Sequence, residues 1–259
     1  MTSPVPDSAT SAGIRKPAVW NKTPLDHVKR VITVASGKGG VGKSATAVNL
    51  AMALQRMGRR VGLLDADIYG PSIPRMMGLE GQPIIQEGKM QPLERHGIGC
   101  MSMGFITGDQ AAILRGPMIS KALQQLLRMT RWGTAELPLD TLLVDMPPGT
   151  GDIHLSMAQQ VPLDGAVIVT TPQTVAVIDA RKCLIMFQKV GIPVLGVVEN
   201  MSGSVFGSGG GRALAEEMGV PFLGSIPMDA AIVEASDKGA IYTGHHIHIY
   251  DSIAGGVIA

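Results

Sequence analysis

The chain has 259 residues, a formal net charge of +1 and only 3% aromatic side chains. This length suits one α/β domain with a sizeable core, whereas the balanced charge and the scarce aromatic rings argue against a nucleic-acid surface. No apolar run reaches the roughly 18 residues that a membrane span needs, so neither nucleic acid nor a membrane is expected as a partner. The two cysteines, Cys100 and Cys183, form neither a Cys-x-x-Cys pair nor a disulfide framework, which is typical of a reducing compartment.

Residues 1–24 are rich in Ser, Thr and Pro and predict a flexible leader. The stretch lacks the apolar core of a secretory signal. Its Ser, Thr and Ala content with few acids also occurs in mitochondrial presequences, but it has few arginines and no clear amphipathic helix. We therefore expect a cytoplasmic protein, with the mitochondrial matrix as the alternative.

Short apolar strands and helices alternate over residues 25–240. The β-branched run 31–35 is typical of a buried parallel strand, and a helix is predicted from Lys43 to Met57, where Gly58 ends it. Such strand–helix–strand units predict an α/β fold, with one doubly wound, mostly parallel sheet flanked by helices. The other predicted strands are 61–65, 98–103, 141–145, 165–170, 194–198 and 222–226, and the other predicted helices are 118–129, 175–190 and 211–218.

Residues 241–259 are predicted to form a divergent, frayed C-terminal tail. The tail contains three histidines, His245, His246 and His248. On a strand, His246 and His248 would share a face, so a metal site is an alternative, although no third ligand is near.

The segment between the first strand and the first helix fits the pattern G-x-x-x-x-G-K-[ST] of a phosphate-binding loop. Glycines let backbone N–H groups turn toward phosphates, and the following helix directs its positive end at the same anion. Lys43 is expected to reach the β- and γ-phosphates of ATP, and the Ser44 hydroxyl is expected to ligate Mg²⁺. The predicted nucleotide-binding residues of this loop are Gly37, Lys38, Gly39, Gly40, Val41, Gly42, Lys43, Ser44 and Ala45.

Acidic residues follow two further strands, at the edge of the sheet where the phosphate loop lies. Asp65 and Asp67 follow the second strand and are placed to orient water and to tune Mg²⁺ binding. Asp145 ends an apolar strand, which is the Walker B arrangement for a carboxylate that holds Mg²⁺ directly or through water. The Pro-Pro-Gly-Thr-Gly turn before Asp152 is typical of a switch that senses the γ-phosphate. A helix cap or a turn is the alternative role for each acid, above all for Asp65 and Asp152.

A second lysine, Lys38, makes the loop resemble the deviant Walker A motif of the MinD/ParA/nitrogenase-iron-protein class. The resemblance implies a homodimer with two ATP molecules at the interface, in which Lys38 reaches the partner's nucleotide as an arginine finger does. Ala45 stands where the class usually has Thr, so one hydroxyl contact to the nucleotide is lost.

The same resemblance assigns roles outside the loop. It implies that Asp67 activates the attacking water and that Asp145 and Asp152 belong to the second switch. It also implies that Asn200 reads the edge of the adenine base.

The sequence contains five further distinctive strings, at residues 65–74, 101–105, 115–118, 145–152 and 199–202. Together they are similar to the Mrp-type ATPases, a family that includes bacterial iron–sulfur cluster carriers and the mitochondrial assembly factor for respiratory complex I. The resemblance runs from about Val28 to Gly239. It implies slow Mg-ATP hydrolysis by a homodimer that assembles iron–sulfur clusters or transfers them to apo client proteins.

The chain departs from that family in its cysteines. The family normally has a Cys-x-x-Cys shortly after the Asn-Met-Ser string, and its thiolates hold a [4Fe–4S] cluster between two subunits. Here residues 203–211 contain only Gly, Ser, Val and Phe, which cannot supply thiolates. Cys100 and Cys183 are predicted to be buried, small apolar residues. A cluster is therefore expected from the family and contradicted by the cysteine inventory.

Two other functions remain alternatives. A spatial-organisation ATPase like MinD or ParA would need a basic amphipathic helix for a membrane or a basic patch for DNA, and the sequence shows neither. A cluster-free, nucleotide-dependent scaffold with negligible turnover is consistent with Ala45 and with the missing cysteines.

Overall fold

The computed structural model describes residues 22–107 and 116–259. The predicted leader lies outside the described residues, apart from residues 22–24. Within the described part of the chain, every helix is too short or too polar to cross a membrane.

Strands and helices alternate over most of the chain as predicted, apart from four consecutive strands between residues 85 and 102. The strands are β1 (Val31–Ala35), β2 (Val61–Asp65), β3 (Ile85–Gln86), β4 (Lys89–Met90), β5 (Leu93–Arg95), β6 (Ile98–Ser102), β7 (Thr141–Asp145), β8 (Gly165–Thr170), β9 (Val194–Ser202) and β10 (Phe222–Pro227). The helices are α1 (Lys43–Arg56), α2 (Ile73–Met76), α3 (Met103–Thr107), α4 (Gly116–Met129), α5 (Asp152–Gln160), α6 (Thr174–Lys189), α7 (Gly210–Met218), α8 (Ala230–Asp237) and α9 (Ile247–Ile258).

The main sheet has eight strands in the order β10-β9-β8-β1-β7-β2-β6-β5, and β3 pairs with β4 in a separate antiparallel ribbon. Its pairs are parallel except for the edge pair β5–β6, which is antiparallel. The central strands β1, β2, β7 and β8 are buried at every position. This burial explains their continuous apolar sequences, because helices cover both faces of a parallel sheet.

Successive residues of one strand pack into different apolar clusters, one on each face of the sheet. Leu142 and Val144 pack into the apolar cluster on one face of the sheet, and Leu143 packs into the cluster on the other face. Each cluster is closed by helices on its own side. The predicted doubly wound α/β fold is therefore confirmed.

Four differences from the predicted elements matter for the site, and two of them are helices α2 and α8, which were not predicted. Strand β9 continues four residues beyond the predicted end at Val198, because the polar side chains of Glu199 and Asn200 find buried hydrogen-bond partners there. Helix α5 was not predicted, since it has nine residues and buries only His154, Met157 and Ala158.

The predicted frayed tail is wrong. Residues 247–258 form helix α9, which contacts α1, β9 and β10. The helix buries Tyr250, Ile253, Ala254 and Val257, which recur at a helical spacing of three or four residues. The three histidines and the Gly255-Gly256 pair obscured this period in the sequence.

The strand-based metal site is wrong for the same reason. His246 precedes the first turn of α9 and His248 lies within that turn, so the two do not form one face of a strand. Among the described residues, no group of three His, Cys, Asp or Glu side chains is placed to hold a metal ion.

Candidate nucleotide-binding site

The phosphate loop runs from the end of β1 to the start of α1, and its glycines are needed for two different reasons. Gly40 and Gly42 have left-handed backbones, with φ of 78° and 79°. A Cβ on Gly37 would lie only 2.0 Å from the Asp179 carbonyl carbon of α6. The pattern predicted from sequence therefore follows from backbone conformation at one end of the loop and from close packing at the other.

One buried carboxylate holds the two key side chains of the loop. Asp145 Oδ1 accepts a hydrogen bond from Lys43 Nζ at 2.6 Å, and Asp145 Oδ2 accepts one from Ser44 Oγ at 2.5 Å. Asp145 is fully buried, and this burial raises its pKa, against the opposing effect of the Lys43 ammonium. The Ser44 hydroxyl and the Asp145 carboxylate are oxygen donors of the kind that Mg²⁺ prefers, so these two residues fit the predicted metal site.

The predicted switch after β7 is tied to the phosphate loop through the backbone. The Gly149 N–H donates to the Ser36 carbonyl at 2.8 Å, with Gly149 in a left-handed conformation at φ 95°. Pro148 lines the phosphate side of the site. Asp152 begins α5, is exposed, and is not among the residues that line the phosphate side of the site.

The two acids after β2 have different surroundings. Asp65 is fully buried, and its carboxylate accepts from the backbone N–H groups of Asp67, Ser72 and Ile73 and from the Ser102 hydroxyl. Burial, with the nearby Asp145 carboxylate, raises the pKa of Asp65 to about 7. Asp65 therefore fixes the loop that carries Asp67.

Asp67 instead faces the phosphate side of the site. It lines a cleft of about 210 Å³, together with the loop residues, Ser72, Met76 and Pro148, and we name this space the phosphate cleft. Its own carboxylate accepts from the backbone N–H groups of Tyr69 and Gly70. Sequence alone left a cap or turn role open for both acids, and the structure places only Asp67 in the cleft.

A second, larger cleft of about 550 Å³ adjoins the first. Its walls are mostly apolar, as is usual for a pocket that takes the organic part of a ligand. We name it the apolar cleft, and its defining residues are Asn200, Met201, Pro227, Met228, Ile232 and Val233. Of these residues, only Asn200 was predicted from the sequence.

The end of β9 joins the apolar cleft to the phosphate loop. Asn200 Nδ2 donates to the Val41 carbonyl at 2.9 Å, and a Cβ on Gly42 would lie 2.1 Å from that nitrogen. The adjacent Glu199 is buried and accepts from the backbone N–H groups of Gly209 and Gly211. Glu199 was missed by the sequence analysis, although a charged residue inside an apolar strand was a usable signal.

Lys38 lies at the rim of the phosphate cleft and is partly exposed. Its carbonyl accepts from the Ser36 hydroxyl at 2.9 Å. Within the described residues, its ammonium group has no hydrogen bond and no ion pair.

The two thiols are placed where they cannot share a ligand. Cys100 on β6 belongs to one apolar cluster, and Cys183 on α6 belongs to the cluster on the opposite face of the sheet. Burial raises the pKa of each thiol to about 12, whereas iron–sulfur clusters are held by thiolates. In place of a cysteine loop, Gly203 and Gly207 close a tight turn with two reciprocal backbone hydrogen bonds of 2.8 Å. The residues present do not fit a [4Fe–4S] cluster within one chain.

The site consists of a glycine-rich loop between a buried strand and a helix, and a lysine and a serine of this loop contact a strand-end aspartate. This arrangement defines a P-loop nucleoside-triphosphate-binding protein. The chain belongs to the ParA-type family of NUBPL iron-transfer P-loop NTPases, whose model matches residues 27–255.

Relatives with closely similar sequences support this assignment and confirm the resemblance. The chain is 51% identical over 234 residues to an iron-sulfur cluster carrier protein of Escherichia coli strain K12, which covers 85% of this chain and 62% of that protein. It is 54% identical over 229 residues to the carrier protein of Pseudomonas fragi (83% and 78%). It is 50% identical over 230 residues to the iron-sulfur cluster transfer protein NUBPL of Mus musculus (83% and 71%). The chain thus spans less than two thirds of the Escherichia coli relative.

Solved structures agree with the fold. A nucleotide-binding protein from Archaeoglobus fulgidus in complex with ADP has a TM-score of 0.74 and 35% identity, over 85% of this chain and 90% of that one. The Pyrococcus furiosus cell division ATPase MinD has a TM-score of 0.69 and 23% identity, over 88% and 98%. The second likeness concerns the fold alone.

Proposed function

We propose that this chain binds Mg-ATP, hydrolyses it slowly, and serves the assembly of iron–sulfur clusters or their transfer to apo client proteins. The observation that carries the nucleotide part is the contact of Lys43 and Ser44 with the buried Asp145 at the phosphate loop. The names of the relatives support the cluster part. Because the chain spans only part of the first of them, the activity, the substrate and the clients are all proposals.

Each side chain of the site has a chemical task in this proposal. Lys43 exchanges Asp145 for the β- and γ-phosphates when ATP enters. Ser44 and Asp145 would hold Mg²⁺, which would supply positive charge to neutralise the phosphates. Asp67 orients the attacking water, while Asp152 acts with the second switch. Backbone N–H groups of the loop from Gly37 to Ala45 hold the phosphates, and Asn200 reads the base.

The oligomer we propose is a homodimer. The supporting observation is the Lys38 ammonium, which has no hydrogen bond or ion pair within the described residues and lies at the rim of the phosphate cleft. In a dimer it stabilises the charge that develops on the partner's phosphates, as an arginine finger does. We propose the cytoplasm as the location, with the mitochondrial matrix as the alternative, and the reduced, buried thiols fit either compartment.

The test of the ATPase proposal is phosphate release from Mg-ATP by the purified chain, with the Lys43→Ala variant as the blank. We expect slow turnover that needs Mg²⁺ and disappears in the variant. Equal phosphate release from both proteins would show that contamination, and not this site, is responsible.

A second candidate is a nucleotide-dependent scaffold that carries no cluster of its own. The burial of Cys100 and Cys183 on opposite faces of the sheet favours it. Anaerobic reconstitution with iron and sulfide, followed by the visible spectrum and an iron count, separates the two candidates. A labile absorption band with about four irons per dimer, lost in the Cys100→Ala/Cys183→Ala variant, supports a carrier. Absence of bound iron with intact ATPase activity supports the scaffold.

The structure does not support the alternative function of a spatial-organisation ATPase like MinD or ParA. Helix α9 contains no lysine or arginine, and it buries its apolar side chains against α1 and β10. A membrane-binding helix needs that apolar face free and a basic polar face.

A further inference from the structure

Among the residues that the structure describes, three line both the phosphate cleft and the apolar cleft: Gly42, Ala45 and Met76. Gly42 has no side chain and Ala45 has only a methyl group. Met76 is therefore the one residue at this junction whose side chain can reach into the passage between the clefts. It is partly buried and lies at the end of α2.

Helix α2 is held at both of its ends. At the start, the Ser72 and Ile73 N–H groups donate to Asp65 at 2.9 and 3.1 Å. Just beyond its end, Gly78 lies against Gly239, where a Cβ on Gly239 would come within 2.5 Å of the Gly78 Cα. Because both contacts are tight, the position of Met76 is set by the same loop that carries Asp67 and by the segment that follows α8.

Helix α8 also forms one wall of the apolar cleft through Ile232 and Val233. In a nucleotide whose phosphates lie at Lys43 and whose base lies beside Asn200, the ribose and base extend from the phosphate cleft across the junction into the apolar cleft. A bare polyphosphate occupies only the phosphate cleft, where the Met76 thioether offers it no charged or hydrogen-bond-donating group.

We propose that Met76 is a specificity-determining residue of the nucleotide site, which contacts the nucleoside and so favours nucleotides over bare polyphosphates. The thioether is flexible and polarizable, so it packs against a ribose and an aromatic base without a fixed hydrogen-bond geometry. Gly42 and Ala45 offer no long side chain at the junction, so this contact depends on Met76. The inference rests on the proposed function and adds a determinant to the same site.

The experiment measures the affinities of Mg-ADP, Mg-ATP and inorganic tripolyphosphate for four proteins: wild type, Met76→Ala, Met76→Leu and Arg75→Ala. Arg75 is the matched control, because it lies on the same helix, is exposed and lines neither cleft. We expect Met76→Ala to weaken both nucleotides by roughly tenfold and to leave tripolyphosphate unchanged, since a lost apolar contact of this size is worth about one factor of ten. We expect Met76→Leu, of similar volume, to stay within about threefold of wild type.

Three results would overturn the inference. Met76→Ala could bind both nucleotides as tightly as wild type, or it could lose affinity equally for nucleotides and tripolyphosphate, which would mean that Met76 only supports the fold of the loop. Arg75→Ala could show the same selective loss. Thermal unfolding of each variant confirms that binding is compared between folded proteins. A wild type that binds none of the three ligands would refute the proposed function itself, and this outcome is visible before any variant is compared.

Discussion

The Asp145 carboxylate is fully buried and contacts the two loop side chains that the sequence assigns to phosphate and metal. A buried ammonium without a partner is costly, and Lys43 is paired with Asp145 in this structure. We propose that phosphates replace the carboxylate when a nucleotide binds. Ser44 shares the same acid, which keeps its hydroxyl beside the position proposed for Mg²⁺. Asp145 therefore fixes the positions of both loop side chains, although it lies 102 residues from Lys43 and 101 residues from Ser44 in the sequence.

The first prediction concerns Lys43→Ala. We expect nucleotide affinity to fall at least about a hundredfold, because the buried positive charge that faces the phosphates is removed. We also expect a lower melting temperature, since Asp145 loses its counter-charge. Isothermal titration with Mg-ADP, below the melting temperature of the variant, tests the binding. The exposed Lys182 provides the control Lys182→Ala, and normal affinity in Lys43→Ala would remove the basis of the assigned site.

The second prediction concerns Lys38→Ala. We expect nearly normal ATP binding with hydrolysis reduced on the order of 10³-fold, because a lysine that acts only on the partner's transition state contributes little to ground-state binding. Single-turnover hydrolysis and equilibrium binding are measured on the same preparation. Lys29→Ala, which changes an exposed lysine far from the cleft, is the comparison. Unchanged turnover in Lys38→Ala would argue against action across a dimer.

At the scale of elements, helix α9 shows how a helix with an ambiguous sequence is fixed by its packing. Its apolar residues lie against α1 and β10, and Arg56 of α1 forms an ion pair with Asp251 at 2.6 Å. Gly255 and Gly256 have low intrinsic helix propensity, so tertiary contacts rather than local preference stabilise this segment.

The third prediction follows from that packing. Ile253 is fully buried, so we expect Ile253→Ala to lower the free energy of unfolding by about 2–5 kcal/mol. Chemical denaturation of the variant and wild type measures the difference. Ser252→Ala, at an exposed position of the same helix, is expected to stay within about 0.5 kcal/mol of wild type. Equal stability of Ile253→Ala and wild type would mean that α9 does not pack as described.

The pH dependence of stability is a property of the whole molecule, and protonation of His154 contributes to it. This side chain is 2% exposed, and its ring packs edge-on against Phe187. Burial lowers the pKa of His154 from 6.5 to about 4. As pH falls from 6.5 toward 4, the unfolded chain takes up this proton before the folded one, so stability decreases through that window.

The fourth prediction is that His154→Leu removes this decrease in stability at acid pH. A pKa lowered from 6.5 to about 4 limits the contribution of the histidine to about 3–4 kcal/mol. The raised pKa of Asp65 acts with the opposite sign over an overlapping range, because the folded state then binds the extra proton. Since Asp65 is present in both proteins, the difference between their unfolding free energies at pH 7.5 and pH 4.5 isolates His154. Parallel pH curves for the two proteins would contradict the assignment.

The sequence by itself determined the phosphate loop and the strands around it. A glycine-rich loop and short β-branched runs act through backbone conformation and local burial, which are readable in a window of a few residues. The strand-end positions of Asp67 and Asp145 followed from the same rule, because the carboxyl ends of parallel strands share one edge of the sheet. The absence of paired cysteines was likewise evident from the number and the spacing of the cysteines in the sequence.

Only the tertiary structure decided the features that depend on distances between remote segments. It separated Asp65, which anchors a loop, from Asp67, which faces the phosphate cleft, although both acids follow the same strand. It placed Cys100 and Cys183 on opposite faces of the sheet, and it ordered the C-terminal residues as α9 against α1. It also brought Met76 to the junction of the two clefts, a role that no local pattern of apolar residues specifies, because such a pattern records only that a side chain is buried and not what it faces.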